Sequence, residues 1–511
     1  MKGKWNTRLT VSRRRGSASP AFQETGWRQD CCRNIVTEAQ KLADFIVQTS
    51  FADISGSALL ELKIRLLDST GCAIGALGNE LVGPLREQIE DFGGHGQCTL
   101  VGGGRTAPDR AAFFNSALVR YLDFNDSYLA KKETCHPSDN IGAVLAAAEC
   151  ANCSGRDFLT ALAVAYQIQC RLCDVAPVRD RGFDHVTLGA YSVAGAVARA
   201  LGLDRDQTAN ALAMSGAAYN ALRVTRTGRL SHWKGLAFAN MAAGATHAAF
   251  LAMRGVAGPP EIFEGHKGFM EVIAGPYAID WSRERLDRAP RTALKKYNAE
   301  IHSQSAIECV LELQRQARFT PDSVARIEID TFDVAHNIIG GGEEGPKDEI
   351  FTKEQADHSL PYLIAVALLD REVTPEQYTP ERIRRSDVQQ LLRNVTVRPV
   401  SEFSAAFPRE LPSAVTVHLR DGRVLRHAVR TYPGYVHSPM PWDTVVDKFH
   451  RLAAAHVDHV LRDAIVNAIA NLDQMRVSEL MGLLGAFHER VEEQPVEVQP
   501  LERRSGGRKA A

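Results

Sequence analysis

In "AQKLADFIVQTSF", "ALLELKIRLLDSTGCAIGAL" and "PDRAAFFNSALVRYL" apolar residues return at i, i+3, i+4 and i+7, the period that lays one apolar stripe along a helix. "SVAGAVARALGL", "TANALAMSGAAYNAL" and "GLAFANMAAGATHAAFLAMRG" continue it with many Ala and Gly residues. Small side chains let helix axes approach closely, so residues 36–290 are predicted to form a compact helical bundle. Near residue 290 the period drops to two. "VARIEIDTFDVA", "NVTVRPV" and "AVTVHLRDGRVLRHAV" alternate as strands do, the last with Asp421-Gly422 at a hairpin turn. The helical stretches "SLPYLIAVALLD" and "SDVQQLLRNV" lie among them, so residues 291–430 read as a smaller α+β unit. Helical pattern returns in "WDTVVDKFHRLAAAHV" and "AIVNAIANLDQMRVSELMGLLGAF". The predicted fold is therefore mainly α. A large all-helical domain is built from residues 36–290 and 431–492, and the inserted α+β domain, 291–430, can act as a lid. Residues 1–35 and 493–511 are predicted to be a disordered extension and tail.

With 511 residues, two domains are the natural expectation. Lys and Arg total 60 against 61 for Asp and Glu, a formal net charge of −1, which argues against a nucleic-acid partner held by bulk electrostatics. An anionic ligand would need a local cluster of cations. No run approaches the roughly 18 apolar residues that span a bilayer, so no membrane partner is expected. "MKGKWNTRLTVSRRRGSASPAF" has six basic residues and no acidic one. It lacks the apolar region that follows a twin-arginine signal, while its Ser- and Arg-rich character is similar to a mitochondrial transit peptide. A plain extension is the simpler reading, which places the protein in the cytoplasm, or in the mitochondrial matrix if the segment is a transit peptide. Cys150, Cys153, Cys170 and Cys173 have the spacing of a zinc ribbon. Their surroundings are helical, without the Gly-containing knuckles a ribbon needs, so they are expected to be buried thiols, with no metal and no cofactor. Unpaired cysteines point to a reducing compartment.

One polar break, "DFNDSYLAKKETCHPSDN" at 123–140, interrupts the helical region. His136 precedes Pro137, which pushes it to an extended conformation, and Ser138 or Asp139 can cap the helix that follows. Capping or turn chemistry is the expectation for Asp126 and Asp139. Asp123 and His136 form a candidate pair, since a carboxylate fixes a histidine's tautomer and raises its basicity. His185 stands before a small-residue helix in "RGFDHVTLGAYSVAG", and "RLSHWKGLAFANMAAG" brings His232 and Lys234. A lysine at a helix N-terminus opposes the macrodipole and favours an anion beside it. "LKKYNAEIHSQSAIE" adds Lys295, Lys296, Glu300 and His302; "ADHSLPYLIAVALLD" adds Asp357, His358 and Tyr362. Five segments thus supply Lys, His, Asp and Tyr, the usual make-up of a site between domains. The glycine-rich "VGGGR" and "IIGGGEEG" lack the strand and helix context of a nucleotide loop.

Taken in order, "RYLDFND", "HPSDNIGAVLAAAE", "LSHWKGLAFANMAAG", "KKYNAEIHSQSAIE" and "ADHSLPYLIAVALLD" resemble the MmgE/PrpD family, over about residues 37–490. The family includes 2-methylcitrate dehydratase, cis-aconitate decarboxylase and some isomerases. The resemblance implies a helical domain with an α+β lid, a homodimer, and no metal or iron–sulfur cofactor. It implies Asp123, His136, His185 and Tyr362 as catalytic residues and Lys234 and Lys295 as substrate-binding residues. Asn298 departs from the family, which often has Pro there. The implied activity is a lyase acting on small polycarboxylates, foremost a metal-free elimination of water like that of 2-methylcitrate dehydratase. The alternatives are decarboxylation of the cis-aconitate type, isomerisation or epimerisation of a dicarboxylate, and a non-catalytic anion-binding dimer. For elimination, Lys234 and Lys295 would hold carboxylates. His136, oriented by Asp123, would act as acid or base, with His185 and Tyr362 as further proton-transfer or positioning groups.

Overall fold

The computed structural model describes residues 36–487 apart from residue 229; the expectations for 1–35 and 493–511 fall outside the described residues. The chain opens with α1 (Glu38–Gln48), α2 (Gly56–Gly75), α3 (Val82–Phe92) and α4 (Pro108–Tyr121). α5 (Ile141–Cys150), α6 (Gly155–Val175), α7 (Val186–Ala200), α8 (Arg205–Ala218) and α9 (Trp233–Met253) follow. α1 shows how the pattern works. Thr37 and Gln40 form a reciprocal capping box, and Ala39, Leu42, Ala43 and Ile46 are the buried stripe. α5 and α7 have no solvent face of their own, their residues being buried nearly throughout. Two glycines make this possible. A side chain at Gly142 would overlap the Ser116 backbone of α4, and a Cβ at Gly189 would lie 2.6 Å from the Phe238 ring of α9.

α9 is long and apolar enough to cross a membrane by length and composition, which corrects the expectation that no run comes near that limit. In this fold it is an interior helix packed on α4, α7 and α8. The Ala-rich composition that raises its hydropathy is what close helix packing demands.

The described residues form a mainly α structure. One hydrophobic core joins α1–α9 to Val445, Phe449, Ile465, Ile469, Leu480 and Leu484 of the last helices. A second core lies within residues 297–419 and contains Ile327, Ile329, Leu363, Ile364, Val415 and Val417. Its sheet has four strands, in the order Val395–Pro399, Val324–Thr331, Ser413–Leu419, Val424–Val429. The first pair is parallel and the other two are antiparallel. Ile327 opposite Val417 and Ile329 opposite Val415 place one face of the sheet in the core. α10 (Gln304–Ala317) lies beside the antiparallel strands and buries Ala306, Ile307, Val310 and Leu313. Gly422, at φ 91°, makes the hairpin turn.

The cysteine tetrad does not converge. Cys150, at the end of α5, neighbours Cys98, while Cys170 and Cys173 on α6 neighbour Cys135. The eight described cysteines are all free thiols.

Candidate active site

The polar break is a short hairpin, Tyr128–Leu129 against Thr134–Cys135, followed by a helical turn over Pro137–Asn140. Asp126 braces it. Its Oδ1 accepts from the Ser138 backbone N–H (3.0 Å) and hydroxyl (2.6 Å), and its Oδ2 from the Tyr166 hydroxyl (2.9 Å). From the far end of the chain, Lys448 donates to the carbonyls of Phe124 (2.8 Å) and Lys295 (3.1 Å) and pairs with Asp68 at 2.7 Å. The loop is thus fixed to both the first and the last helices.

Asp123 holds φ 53°, the left-handed region that a non-glycine residue enters rarely. Its surroundings account for that. Lys295 Nζ donates to the Asp123 carbonyl (2.6 Å) and to Oδ1 (2.5 Å), and Arg120 donates to the same oxygen at 2.5 Å. Lys234 Nζ stands 3.4 Å from Oδ2 and 2.7 Å from Asp357 Oδ1. Asp357 in turn accepts from Lys353 (3.1 Å) and lies 2.7 Å from His358 Nδ1. Burial works to raise the Asp123 carboxyl, but Arg120, Lys295 and Lys234 outweigh it and hold it well below the usual range. Burial pulls the Lys234 ammonium down, and Asp357 and Asp123 restore part of the loss. Asp123 is therefore the shared counter-ion of three buried cations.

That role displaces the one expected for it. His136 is oriented by the backbone, its Nδ1 donating to the Asp126 carbonyl at 2.8 Å, with Ser127 Oγ at 3.1 Å. A carbonyl only accepts, so Nδ1 carries the proton and Nε2 keeps its lone pair. Burial first, then the charges of Arg120, His185 and Lys295, hold the His136 ring well below its ordinary pKa, in the neutral form. His185 packs edge-on against it, ring centres 5.1 Å apart. Its Nδ1 is 3.4 Å from Asp184 Oδ1, and Arg226 Nη2 reaches its Nε2 at 3.4 Å. Burial dominates here too, and the ring is neutral despite Asp184. Asp184 accepts from Arg226 at 2.7 Å and from Arg223 at 3.4 Å.

These groups meet around one narrow cavity. Asp123, His136, His185 and Lys295, four of the expected site residues, line it together. Lys234 does not; it stands behind Asp123, on a separate hollow shared with Lys353. Tyr362 also lies elsewhere. Its helix, Leu360–Asp370, is buried nearly all round, and the Tyr362 hydroxyl donates to the Gln377 carbonyl inside the second core. The same segment delivers His358 to the cavity instead. Asn298 explains the departure from Pro. Its side chain donates to the Leu122 carbonyl at 2.6 Å and its N–H to the Val373 carbonyl at 2.9 Å, and Pro could do neither.

The sequence reading missed the arginines. Arg120, Arg179, Arg223 and Arg226 line the cavity with Lys295, so five cations face two carboxylates, Asp123 and Glu300. Arg120 had a visible signal: a charge on a face of α4 shared with the apolar Phe113 and Ala117. Arg223 and Arg226 sit on a turn where nothing local marks them. A larger hollow beside α1 is lined by Glu38, Asp44, Asp53, Asp280 and Glu284 against Lys41 and Arg285; its acidic wall suits no polyanion.

Residues 40–282 match the MmgE/PrpD N-terminal domain and residues 297–474 the MmgE/PrpD C-terminal domain. The chain belongs to the MmgE/PrpD family. This MmgE/PrpD protein is 28% identical over 428 residues to the mitochondrial 2-methylcitrate dehydratase of Yarrowia lipolytica, covering 77% of this chain and 79% of that one. It is 28% identical over 482 residues to the 2-methylcitrate dehydratase of Cupriavidus necator, covering 86% and 95%. An alkylcitrate dehydratase of a fungal species is 28% identical over 456 residues, covering 82% and 88%. Such relatives over most of its length make the MmgE/PrpD chain an enzyme, a lyase of the dehydratase type.

Proposed function

We propose that the enzyme removes water from a 3-hydroxy tricarboxylate, 2-methylcitrate or a close alkyl homologue. The observation that carries this reading is the cavity itself, where five cations against two carboxylates surround neutral histidines. Behind the wall Asp184 pairs with Arg223 and Arg226, Glu344 with Arg223 and Glu133 with Arg179, which holds these guanidinium groups in place, and guanidinium groups recognise carboxylates such as those of a tricarboxylate in bidentate fashion. Lys295, Arg223 and Arg226 hold the carboxylates. His136 Nε2, with its lone pair free, takes the proton from the carbon next to the hydroxyl-bearing one. The C–H electrons form the double bond, and the C–O bond breaks with its electron pair staying on oxygen, which must take up a proton to leave as water. His185 hydrogen-bonds the substrate beside His136. Lys234 acts through Asp123 and Asp357, and Tyr362 has no part in the scheme.

The proposal includes independence from metal. Among the described residues, the one cluster with metal-ligand spacing is Asp123, Asp357 and His358. Its oxygens already serve Lys234, Lys295, Lys353 and Arg120, so a divalent ion would have to displace buried ammonium groups. We also propose that the 291–430 unit closes over the cavity, since it contributes Lys295, Glu300, His302 and His358. A homodimer is part of the same reading: Leu222, Val224 and Trp233 are exposed on one stretch of chain beside the site, a patch suited to a partner copy. Free described thiols fit the cytoplasm or another reducing compartment.

The test is product identification by NMR after incubation with 2-methylcitrate, citrate, cis-aconitate and a chiral dicarboxylate. The expected result is an alkene and water from 2-methylcitrate. Release of carbon dioxide, or epimerisation without an alkene, would replace elimination with the decarboxylase or isomerase reading.

A further inference from the structure

The mechanism above leaves the leaving hydroxyl without a proton donor, and it leaves two cavity histidines, His302 and His358, without a role. His302 is 1% exposed and lines the cavity. It sits in the turn Ile301–Ser303, just ahead of α10. Both oxygens of Glu300 are spent on it: Oε1 is 2.7 Å from His302 Nδ1, and Oε2 accepts the His302 backbone N–H at 2.7 Å. The ring is further confined by Phe332 and Phe407, at 5.6 and 5.7 Å between centres. Its Nε2 is buried and has no hydrogen-bond partner. Buried polar atoms in native proteins are nearly always paired, so an orphan nitrogen on a cavity wall marks a place where a ligand completes the set.

Its electrical setting differs from that of His136 and His185. His136 is held by a neutral carbonyl, and His185 faces an arginine at Nε2. At His302 a carboxylate oxygen lies 2.7 Å from Nδ1. Burial works to raise the Glu300 carboxyl, and His302, with His358 and Lys295, outweighs it and keeps it below the usual range. The other titratable and charged groups around the dyad are Lys295, His358, Lys347 and Tyr432.

We infer that His302 is the general acid of the reaction, with Glu300 as its positioning residue. Nε2–H delivers its proton to the hydroxyl oxygen as the C–O bond breaks, the oxygen keeps the bonding pair, and water leaves. His136 ends protonated and His302 neutral; exchange with solvent restores both, so substrate becomes alkene plus one water. This rests on the dehydratase reading for the identity of the leaving group, and on geometry for the contact.

The experiment pairs kinetics with a direct view of the ring. In His302→Gln, kcat for 2-methylcitrate should fall by about 10²–10⁴-fold with KM changed only a few-fold, and the alkaline limb of the kcat/KM profile should disappear. Glu300→Gln keeps a side chain of the same shape and should move that limb to lower pH, which a purely structural role would not do. Nitrogen-15 spectra of histidine-labelled wild type, with the signal assigned through His302→Gln, should show the His302 ring resonance shifting on addition of citrate. Melting temperatures separate misfolding from lost chemistry. A folded His302→Gln enzyme with full turnover and an unchanged alkaline limb would overturn the inference. A wild type that never dehydrates 2-methylcitrate would overturn the dehydratase reading instead. The citrate-induced shift then decides His302 alone: a shift keeps it as a ligand-contacting group, and no shift removes it.

Discussion

Asp123→Asn tests the electrostatic frame of the site most directly. The substitution keeps the shape and removes one charge from a cluster in which Arg120, Lys234 and Lys295 all face that carboxylate within 3.4 Å. Lys234 retains Asp357, but among the described residues Lys295 has no other carboxylate within ion-pairing distance. Removing one partner of a buried ion pair costs about 3–5 kcal/mol. Roughly 450 residues at about 2.1 cal/mol/K each give an unfolding entropy near 0.95 kcal/mol/K, so melting should fall by about 3–5 °C. The sign with pH follows from the direction of the shift. The folded-state carboxyl lies below its unfolded value, so its stabilisation is complete above the unfolded pKa and is lost as pH falls through the folded one. The deficit of the variant should therefore be flat between about pH 5 and 8. A tricarboxylate supplies the missing negative charge, so citrate should raise the melting temperature of Asp123→Asn more than that of wild type. Scanning calorimetry of both proteins, with and without citrate, reads all three quantities. A variant that melts within one degree of wild type and gains no more from citrate would refute the counter-ion role.

The two lysines should separate cleanly. Lys295→Ala should weaken substrate affinity about ten- to a hundred-fold, the loss of a charge-assisted contact of roughly 1.5–3 kcal/mol. Lys234→Ala, removing a group behind the cavity wall, should chiefly lower the melting temperature; steady-state kinetics beside calorimetry checks both. His136→Gln should lower kcat by about 10²–10⁴-fold with little change in KM and an intact fold; a nearly fully active variant would end its role as base. Tyr362→Phe should keep near-wild-type kinetics and lose about 1–3 kcal/mol of stability from the unpaired Gln377 carbonyl, whereas a hundred-fold loss of kcat would return Tyr362 to the chemistry. Exhaustive chelation should leave turnover unchanged; activity lost on chelation and restored by one metal would refute the metal-free scheme.

What the sequence determined by itself was local. The stripe of α1, its capping box and the Asp421-Gly422 hairpin each depend on residues a few positions apart, so period and turn chemistry suffice to read them. The polar break could also be read, because eighteen polar-rich residues inside an apolar region are a local anomaly. The resemblance then pointed at most of the right segments. Which atoms meet was decided only by the tertiary structure. Lys234 looked misplaced at a helix start, and its partner Asp357 lies 123 positions away. Asp123 seemed made for His136, thirteen residues on, but Lys295, 172 positions away, takes its carboxylate. An unpaired buried ammonium costs more than an imidazole settled on a backbone carbonyl, so the carboxylate goes to the cations. Tyr362 and His358 sit on one short segment, and a helix apolar on every face cannot announce which residue turns to the cavity. The cysteine spacing misleads for the same reason: Cys150 at the end of α5 meets Cys98, and Cys170 and Cys173 on α6 meet Cys135. Periodicity fixes what a segment is, and packing among distant segments fixes which charges are left facing one another in the absence of water.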